Sequence, residues 1–279
     1  QKAFGNRRIE PQANPMTVDT VFDLASLTKA VATAPSVMLL VERGRIGLDD
    51  PVAKHLPESA QNGKERITVR DLLTHQGGLI ADNALADYRD GPQLAWERLF
   101  ALKPIAAPGA KFVYSDVGFL VLGELVRRVA GKDLHAFAEE NLFQPLGMTE
   151  TGFLPAESLR RRAAPSERRN GEFLQGEVHD PRAYHLGGVA GHAGLFSTAA
   201  DLAVFAQMLL GRGEYASVRV MRPETVEAMT RPSPVSAGLR GLGWDIRTGY
   251  SSNRGDGPSP RAFGHGGFTG TSLWIDPDR

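Results

Sequence analysis

The sequence predicts a mixed α/β fold, in which helices pack on a sheet and a mainly helical region lies beside it. Strands are predicted near both ends of the chain, where apolar and polar residues alternate, at 1–10, 241–247 and 271–277. The middle of the chain, from about 45 to 190, is rich in helix signals and loops. We therefore expect a discontinuous sheet domain, residues 1–44 and 195–279, with a mainly helical domain, 45–194, inserted into it.

Composition limits the class of protein. With 279 residues the chain is long enough to bury a large core. Its 32 Lys and Arg residues equal its 32 Asp and Glu residues, and the most basic segment, 159–172, also holds Pro, Ser, Asn, Gly and Glu. That segment predicts a solvated loop, so no nucleic-acid partner is expected. The absence of cysteine excludes disulfides and thiol catalysis, and no run of about 18 apolar residues predicts a membrane span.

Helix signals are strongest at the ends of each predicted helix. The first is predicted at 24–43, with Asp23 as a candidate N-cap and Gly44 after the last turn. Pro35 lies inside it and is expected to kink it, because proline removes a hydrogen bond of the helix. Further helices are predicted at 67–78 (with a Thr-x-x-Asp capping box), 115–131, 133–147, 197–211 and 223–230.

A hydroxyl and an amine lie three positions apart near the start of the first helix, in FDLASLTKAVATAP. Positions i and i+3 are neighbours on one helix face, so Ser26 is expected to lie beside Lys29. Serine becomes nucleophilic when a base takes its proton, and a buried lysine of lowered pKa can be that base. The N–H of Ser26, in the first turn, can donate to an oxyanion. The pattern is short and also arises by chance.

Two further segments supply partners for this pair. In PGAKFVYSDVG, Tyr114 precedes a predicted helix, and its phenol can relay a proton to a leaving group. The alternative for Tyr114 is a half-buried aromatic with a solvated hydroxyl. In FGHGGFTGTSLWID, His265 is followed by Gly266 and Gly267, which let a substrate backbone approach, and the Phe268 N–H is a candidate second oxyanion donor. Alone, this segment is only a glycine-rich turn.

In this order, the motifs S-x-x-K, Y-S-D and H-G-G resemble those of the serine β-lactamase and penicillin-binding protein superfamily. The chain is similar to its class C-like branch, which includes family VIII-type esterases and D-Ala-D-Ala-peptidase-like proteins. The likeness covers nearly the whole chain, through ITVRDLLTHQGGL, PGAKFVYSD, LFQPLGMTETGF and AGLFSTAADLAVFAQMLL. It implies a β-lactamase/transpeptidase-like fold, with an antiparallel sheet flanked by helices and a helical domain bordering the active-site cleft.

The resemblance also implies roles for individual residues. Ser26 resembles the acylated nucleophile, Lys29 resembles its proton acceptor, and Tyr114 resembles the residue that moves the proton or activates the hydrolytic water. Asp116 stands where many relatives have a substrate-contacting Asn, and its carboxylate can instead hold Lys29 and raise the lysine pKa. His265 replaces a lysine of β-lactamases and is positive only when protonated, which favours esters or less anionic substrates.

The segment EVHDPRAYHLGGVAGHAGLFS holds four residues of metal-ligating type, His179, Asp180, His185 and His192. Their spacing fits no helix-borne metal motif, and the chemistry that the resemblance implies needs no metal or other cofactor. We expect a glycine-rich loop over the cleft, in which His179, Asp180 and His192 contact substrate. The alternative is a loop whose histidines bond to its own backbone.

The predicted function is a serine hydrolase that acts through an acyl-enzyme on small esters or peptidoglycan-type amides. A true β-lactamase and a penicillin-binding module that is acylated without turnover are the alternatives. The expected partner is a small molecule, an ester, a β-lactam or a muropeptide-like compound. Members of the superfamily usually carry a helix and a strand before the first predicted strand, and a strand and a long helix after the last. We therefore expect either a fragment or a chain whose missing elements come from another chain, and we favour the fragment. The compartment and the oligomeric state stay open, with a preference for a location outside the cytoplasm.

Overall fold

The computed structural model describes residues 1–279, in which nine α-helices alternate with short strands and loops. The α-helices are α1 (Ala34–Glu42), α2 (Val69–Leu73), α3 (Pro92–Phe100), α4 (Asp116–Ala130), α5 (Leu134–Ala138), α6 (Glu157–Arg160), α7 (Pro181–His185), α8 (Ala199–Leu210) and α9 (Pro223–Thr230). Two segments are π-helical, Lys29–Thr33 and Glu139–Phe143, and three are 3₁₀-helical, Val52–Lys54, Pro57–Gly63 and Leu85–Tyr88. None of the helices is both long and apolar enough to span a bilayer.

The strands form antiparallel sheets, the largest of which has five strands. They are β1 (Asn6–Arg8), β2 (Asn14–Pro15), β3 (Val21–Asp23), β4 (Gly152–Phe153), β5 (Arg168–Arg169), β6 (Glu172–Phe173), β7 (Leu195–Thr198), β8 (Glu214–Tyr215), β9 (Val218–Arg219), β10 (Ser233–Val235), β11 (Gly238–Arg240), β12 (Asp245–Arg247), β13 (Phe263–Gly266) and β14 (Ser272–Ile275). The five-stranded sheet has the order β10-β11-β12-β13-β14, and a three-stranded sheet has the order β3-β7-β4. The pairs β1-β2, β5-β6 and β8-β9 stand alone.

The strands at the two ends of the chain do not join in one sheet, which corrects the sequence-based expectation. The five-stranded sheet uses only the last part of the chain, whereas the N-terminal strand β3 pairs with β7. The hairpin β10-β11 was not predicted, because the segment SPVSAGLR has no clear alternation of apolar and polar residues. A mixed α/β architecture with helices beside an antiparallel sheet is confirmed.

The first helix begins later than predicted and changes its hydrogen-bond pattern before Pro35. Residues 24–28 form short turns, with Lys29 N donating to Ser26 O over 3.1 Å. A π-helical segment follows, in which the Ala34 N–H donates to Lys29 O, and α1 then starts with Pro35 in its first turn. Proline has no N–H to donate, so a change of register at this position costs the helix no hydrogen bond. Ser26 therefore lies at the helix N-terminus, ahead of the π-helical turn that carries Lys29.

The capping box predicted at the start of α2 is confirmed, with Thr68 and Asp71 as its two members. Ser115 caps α4 through the Gly118 N–H. Gly131 ends α4 in the left-handed conformation, and Thr198 caps α8. Asp23 instead accepts the Ala25 N–H, in the turn before Ser26. These caps fix where the chain enters and leaves the helices around the cleft.

A single apolar core contains residues of both predicted domains. One cluster of 56 buried residues includes Leu27, Leu120 and Phe205, from the first, middle and last parts of the chain. Helix α1 packs on α4 and α9, and α8 packs on β7 and β14. The division into residues 1–44 with 195–279 and residues 45–194 stays a prediction.

Helix α4 touches the backbone of a loop that leads to β7, and both partners are glycines at the contact. A Cβ on Gly191 would lie 1.9 Å from Phe119 O, and one on Gly123 would lie 2.9 Å from Gly191 Cα. Gly191 O also accepts a hydrogen bond from Thr33 Oγ1 over 2.6 Å. This close approach brings α4, the π-helical turn and the loop together.

We expect Gly191→Ala to destabilise the fold by about 2 kcal/mol or more, because backbone atoms of α4 must move to admit the methyl group. The measurement is the free energy of unfolding in urea. Gly249→Ala is the matched control, since no atom lies within 4 Å of a Cβ built on Gly249. Equal stability of the two variants would contradict the rigidity of the contact.

Candidate active site

Ser26 opens into a cleft formed by the helix N-terminus, the segment before α4, and the inner strands β11, β12 and β13 of the five-stranded sheet. A cavity of about 240 Å³ occupies this cleft. Its lining residues are Ser26, Tyr114, Arg240, Asp245, Tyr250, His265, Gly266, Gly267 and Phe268. Six of the residues that the sequence proposed as site residues are thus brought together in one cleft.

The Lys29 amine is surrounded by three acceptors. Its Nζ donates to Ser26 Oγ over 2.9 Å and to the His192 carbonyl over 3.0 Å, and it lies 2.6 Å from Asp116 Oδ1. The lysine side chain is 0% exposed. An ammonium group has three hydrogens to donate and no lone pair, so this arrangement suits the charged form of the amine.

Two opposing effects act on the Lys29 pKa. Burial lowers the pKa of Lys29, yet the Asp116 carboxylate and Tyr114 together outweigh burial and raise it above its ordinary value. Asp116 therefore holds Lys29, as the sequence suggested for a carboxylate at this position, and a contact of Asp116 with substrate stays a prediction. Lys29 must lose a proton before it can accept one from Ser26, because the ammonium has no lone pair.

We expect Asp116→Asn to shift the rising limb of the pH dependence of kcat/KM to lower pH by more than one unit. Without the carboxylate, burial dominates and disfavours the charged amine. The rising limb reports the essential base of the free enzyme. The measurement is a pH profile of ester hydrolysis, with Asp82→Asn as the control on a nearby carboxylate that does not touch Lys29. An unshifted profile would show that a group other than Lys29 limits activity.

Tyr114 is fixed by three other aromatic rings. Its ring lies 4.4 Å from the His75 ring and 4.6 Å from the Tyr250 ring, and the His265 ring is 5.9 Å away. The Lys29 Nζ lies 5.0 Å from the centroid of the Tyr114 ring. Tyr114 therefore borders both the amine and the cavity, as a residue that moves protons requires.

His75 supports this arrangement from behind the cleft. The Ser115 N–H donates to His75 Nδ1 over 3.0 Å, and the Val113 N–H donates to His75 O over 2.9 Å. Burial, with the charges of Arg240 and Lys29 nearby, lowers the pKa of His75 well below its ordinary value. His75 is a neutral spacer that holds the Tyr114 segment.

The two predicted oxyanion donors belong to residues that line the cavity, and neither N–H has an acceptor in the protein. Neither the Ser26 N–H nor the Phe268 N–H donates to a backbone acceptor. Thr269 Oγ1 donates to Asp23 O over 2.7 Å, and Thr271 Oγ1 donates to Leu24 O over 3.2 Å, which joins the turn after β13 to the chain before Ser26. A Cβ on Gly267 would lie 2.4 Å from Leu24 O, so only glycine allows this approach.

His265 lies in the cleft wall but is held neutral. Its Nδ1 donates to the Gly266 carbonyl over 2.7 Å, which leaves Nε2 as an acceptor without a partner. Burial, with Arg240 and Lys29 nearby, lowers the pKa of His265 well below its ordinary value. His265 therefore supplies no positive charge to a substrate at neutral pH.

Arg240, which no sequence motif indicates, supplies a positive charge in the cleft instead. It is 0% exposed in β11, and its three guanidinium nitrogens have no hydrogen-bond partner. Asp245 Oδ1 lies 3.6 Å from Nη1 and already accepts Thr248 Oγ1, while its second oxygen accepts Ser251 Oγ. A buried guanidinium without hydrogen bonds is costly, so this group is poised for an anionic acceptor.

Arg240 and Tyr250 have only weak signals in the sequence. An arginine inside the apolar segment GLRGLGWDI is unusual for a strand buried in a sheet. Tyr250 lies in the loop after β12, and the sequence alone does not indicate that this loop reaches Tyr114. Both residues come to the cleft through the pairing of β11, β12 and β13.

The histidine-rich loop does not line the cavity beside Ser26. His179 donates its backbone N–H to Asp23 Oδ2 over 2.7 Å, and its ring lies 5.1 Å from the Phe268 ring. Asp180 caps α7 and accepts His192 Nε2 over 2.8 Å. His192 reaches Lys29 through its carbonyl. A role for these three residues in binding substrate stays a prediction.

One group of side chains has the spacing of a metal site. Ligand atoms of Asp116, Asp180 and His192 lie within 4.8 Å of one another. Lys29 already pairs with Asp116, however, and His192 already bonds to Asp180. An ammonium 2.6 Å from one of the carboxylate oxygens repels a cation, so we assign no metal to the group.

Known proteins of one family are similar to this chain in sequence and in fold. The β-lactamase family model matches residues 1–279. A protein named D-alanyl-D-alanine carboxypeptidase, from Escherichia coli (strain K12), is 35% identical, with 99% of this chain and 70% of that protein covered. A penicillin-binding protein homologue from Caulobacter crescentus is 27% identical with a TM-score of 0.78, covering 97% of this chain and 78% of its own.

A family VIII carboxylesterase is also similar in fold. It has a TM-score of 0.77 at 23% identity, with 96% of this chain and 78% of that one covered. The β-lactamase/transpeptidase-like fold that the motifs implied is confirmed, as is hydrolysis by a serine nucleophile as the general activity. From its N-terminal strands to its last sheet strand, the chain therefore belongs to the β-lactamase family of serine hydrolases.

Proposed function

We propose that this protein hydrolyses amides that end in a free carboxylate, as a D-alanyl-D-alanine-type carboxypeptidase does. The observation that carries the proposal is Arg240, a buried guanidinium with no hydrogen-bond partner in the wall of the cavity that contains Ser26. Planar guanidinium groups bind carboxylates through two parallel hydrogen bonds. A substrate carboxylate would supply the acceptors that Arg240 lacks.

In the proposed reaction, Ser26 Oγ attacks the carbonyl carbon and the N–H groups of Ser26 and Phe268 bind the developing oxyanion. Lys29, after losing one proton, accepts the Ser26 proton, and Tyr114 passes its phenol proton to the leaving amine and regains a proton from Lys29. The C–N bond breaks, the amino acid leaves, and water then cleaves the Ser26 ester to release the shortened peptide. Asp116 and the His192 carbonyl keep the amine in place throughout.

Ester hydrolysis is the second candidate, and the neutral state of His265 favours it. Without positive charge at that position, the cleft lacks one of the two cations that an anionic substrate could contact. The Phe268 side chain, which lines the cavity and is 83% exposed, also offers an apolar surface to an acyl group. A true β-lactamase and a module that is acylated without turnover differ from both candidates in the substrates that they turn over.

The test compares three substrates under the same conditions: a peptide ending in D-Ala-D-Ala, p-nitrophenyl butyrate and a chromogenic cephalosporin. The proposal would be supported if kcat/KM for the peptide with a free C-terminal carboxylate exceeded kcat/KM for the same peptide with a C-terminal amide by tenfold or more. Turnover of the ester alone would favour the second candidate. Rapid turnover of the cephalosporin would identify a β-lactamase, and a stoichiometric adduct without turnover would identify a binding module.

A further inference from the structure

Asp23, three positions before the candidate nucleophile Ser26, has a buried side chain that the proposed reaction does not use. The residue is 4% exposed. Its Oδ1 accepts the Ala25 N–H over 2.8 Å, and its Oδ2 accepts the His179 N–H over 2.7 Å. Burial raises the pKa of Asp23, so the position is unfavourable for a carboxylate as far as stability is concerned. Its two backbone contacts beside Ser26 therefore point to a role in the site.

The bond to the Ala25 N–H holds an unusual backbone conformation. Ala25 has a φ of +45°, in the left-handed region that residues with a Cβ rarely adopt. An aspartate that accepts the N–H two residues later closes a turn of the chain, so Asp23 compensates for this unfavourable conformation. The peptide group that follows Ala25 carries the Ser26 N–H. The conformation of Ala25 therefore decides the direction of that N–H.

The main chain of Asp23 is connected to the second candidate oxyanion donor. The Asp23 carbonyl accepts Thr269 Oγ1 over 2.7 Å, and Thr269 directly follows Phe268 in the sequence. The side chain of Asp23 thus reaches the turn that carries the Ser26 N–H, and its carbonyl reaches the turn that carries the Phe268 N–H. One residue joins the two segments whose N–H groups must converge on the oxyanion.

We propose that Asp23 is a positioning residue that holds Ala25 in its left-handed conformation and so directs the Ser26 N–H towards the oxyanion. Through Thr269, its carbonyl keeps the Phe268 N–H beside that donor. The inference rests on the proposed oxyanion role of these two N–H groups. Donors that are fixed in advance stabilise the transition state more than the bound substrate. Loss of the Asp23 side chain should therefore lower kcat and leave KM nearly unchanged.

The first test is Asp23→Ala, which removes both side-chain acceptors, with p-nitrophenyl butyrate as the substrate. We expect kcat to fall about 100-fold, as on loss of one oxyanion donor, and KM to change less than about threefold. Phenylboronic acid is the second probe, because a serine hydroxyl adds to its boron, passes its proton to a base and leaves a tetrahedral anion. Its affinity should also fall about 100-fold, since the adduct resembles the transition state.

Asp201→Ala is the matched control for the loss of a buried aspartate. Asp201 is 8% exposed and accepts the Glu150 N–H over 2.9 Å and Thr151 Oγ1 over 2.8 Å. None of these three residues lines the cavity that contains Ser26. The control should keep kcat, KM and the affinity for the boronic acid within about threefold of the wild type. Unfolding curves in urea verify that both variants are folded.

The second test repeats Asp23→Ala in the Ala25→Gly background. Glycine adopts a positive φ about as readily as a negative one, so the turn then depends less on the bond from Asp23. We expect Asp23→Ala to lower kcat less than about tenfold in this background, against about 100-fold in the unchanged chain. A merely structural role, in which Asp23 only ties the chain to His179, predicts the same loss in both backgrounds. Equal losses would overturn the inference.

Thr269→Val tests the second connection and decides the matter if Asp23→Ala does not fold. The two side chains have nearly the same shape, so the change removes the bond to the Asp23 carbonyl with little repacking. We expect kcat and the affinity for the boronic acid each to fall about tenfold, with KM unchanged. If both stayed at the values of the wild type, Asp23 would not position the donors.

The ester and the boronic acid separate this inference from the proposed substrate. If no D-Ala-D-Ala peptide is cleaved but the losses and the rescue appear, the carboxypeptidase proposal fails and the role of Asp23 stands. If the peptide is cleaved and Asp23→Ala keeps its kcat and its affinity for the boronic acid, the carboxypeptidase proposal stands and the role of Asp23 is wrong. A wild type that neither hydrolyses the ester nor binds the boronic acid would also overturn the inference.

Discussion

Ser26→Ala is expected to lower kcat/KM by a factor of about 10⁵ for every substrate that the protein hydrolyses. The reason is that Ser26 Oγ is the hydroxyl hydrogen-bonded to Lys29, at 2.9 Å, in the wall of the cavity. Removing it takes away the atom that forms the covalent intermediate. The oxyanion donors remain, so residual activity comes only from binding and from polarisation of the carbonyl.

The measurement is steady-state hydrolysis, combined with mass spectrometry of protein quenched during turnover. The wild type should carry an added acyl group on the peptide that contains Ser26, and Ser26→Ala should carry none. Ser158→Ala, an exposed serine on α6, is the control and should match the wild type in both assays. An acyl group on Ser26→Ala protein would place the nucleophile elsewhere.

Arg240→Met is expected to reduce kcat/KM for peptides with a free carboxylate about 100-fold, since charge-assisted hydrogen bonds contribute about 1.5–3 kcal/mol. The same change should alter hydrolysis of p-nitrophenyl butyrate only a few-fold, because that ester has no carboxylate to bind. The selectivity follows from position: Arg240 lines the cavity that contains Ser26 but has no hydrogen bond to the catalytic groups.

Arg240→Lys is the companion variant, because it keeps the charge and removes the two-pronged geometry. For the carboxylate substrate, its kcat/KM is expected to be intermediate between that of the wild type and that of Arg240→Met. Asp245 keeps its bonds to Thr248 and Ser251 in both variants, so the strand should remain folded. An equal loss of kcat/KM for the ester and for the peptide would mean that Arg240 stabilises the sheet and does not bind the substrate carboxylate.

The meeting of the candidate active-site residues in one cleft was largely predictable, because they lie in short motifs at fixed spacing. Ser26 and Lys29 are three positions apart, and a helical turn brings them together whatever else the chain does. Tyr114 immediately precedes a well-capped helix, so the place of its motif could be expected. Arg240 could not be found in this way, since its role depends on the burial of a strand that was itself not predicted.

In the fold, too, the elements that could be predicted are those specified by residues close to them in the sequence. Helix α4 was predicted at both ends because its caps, Ser115 and Gly131, are adjacent to it in the sequence. The pairing of β3 with β7 joins residues more than 170 positions apart, and nothing local specifies that partner. The π-helical segment was missed because the sequence indicates a proline kink but not how the chain accommodates it.

The two neutral imidazoles that flank Tyr114 have a consequence for acid tolerance. Burial lowers the pKa of both His75 and His265 well below the ordinary value of about 6.5 that they regain on unfolding. Below that value the unfolded chain binds more protons than the folded one, so the free energy of unfolding falls as the pH falls. The rings that order the cleft at neutral pH thereby make the whole domain acid-labile, and its melting temperature should decline steadily from about pH 6.5 downwards.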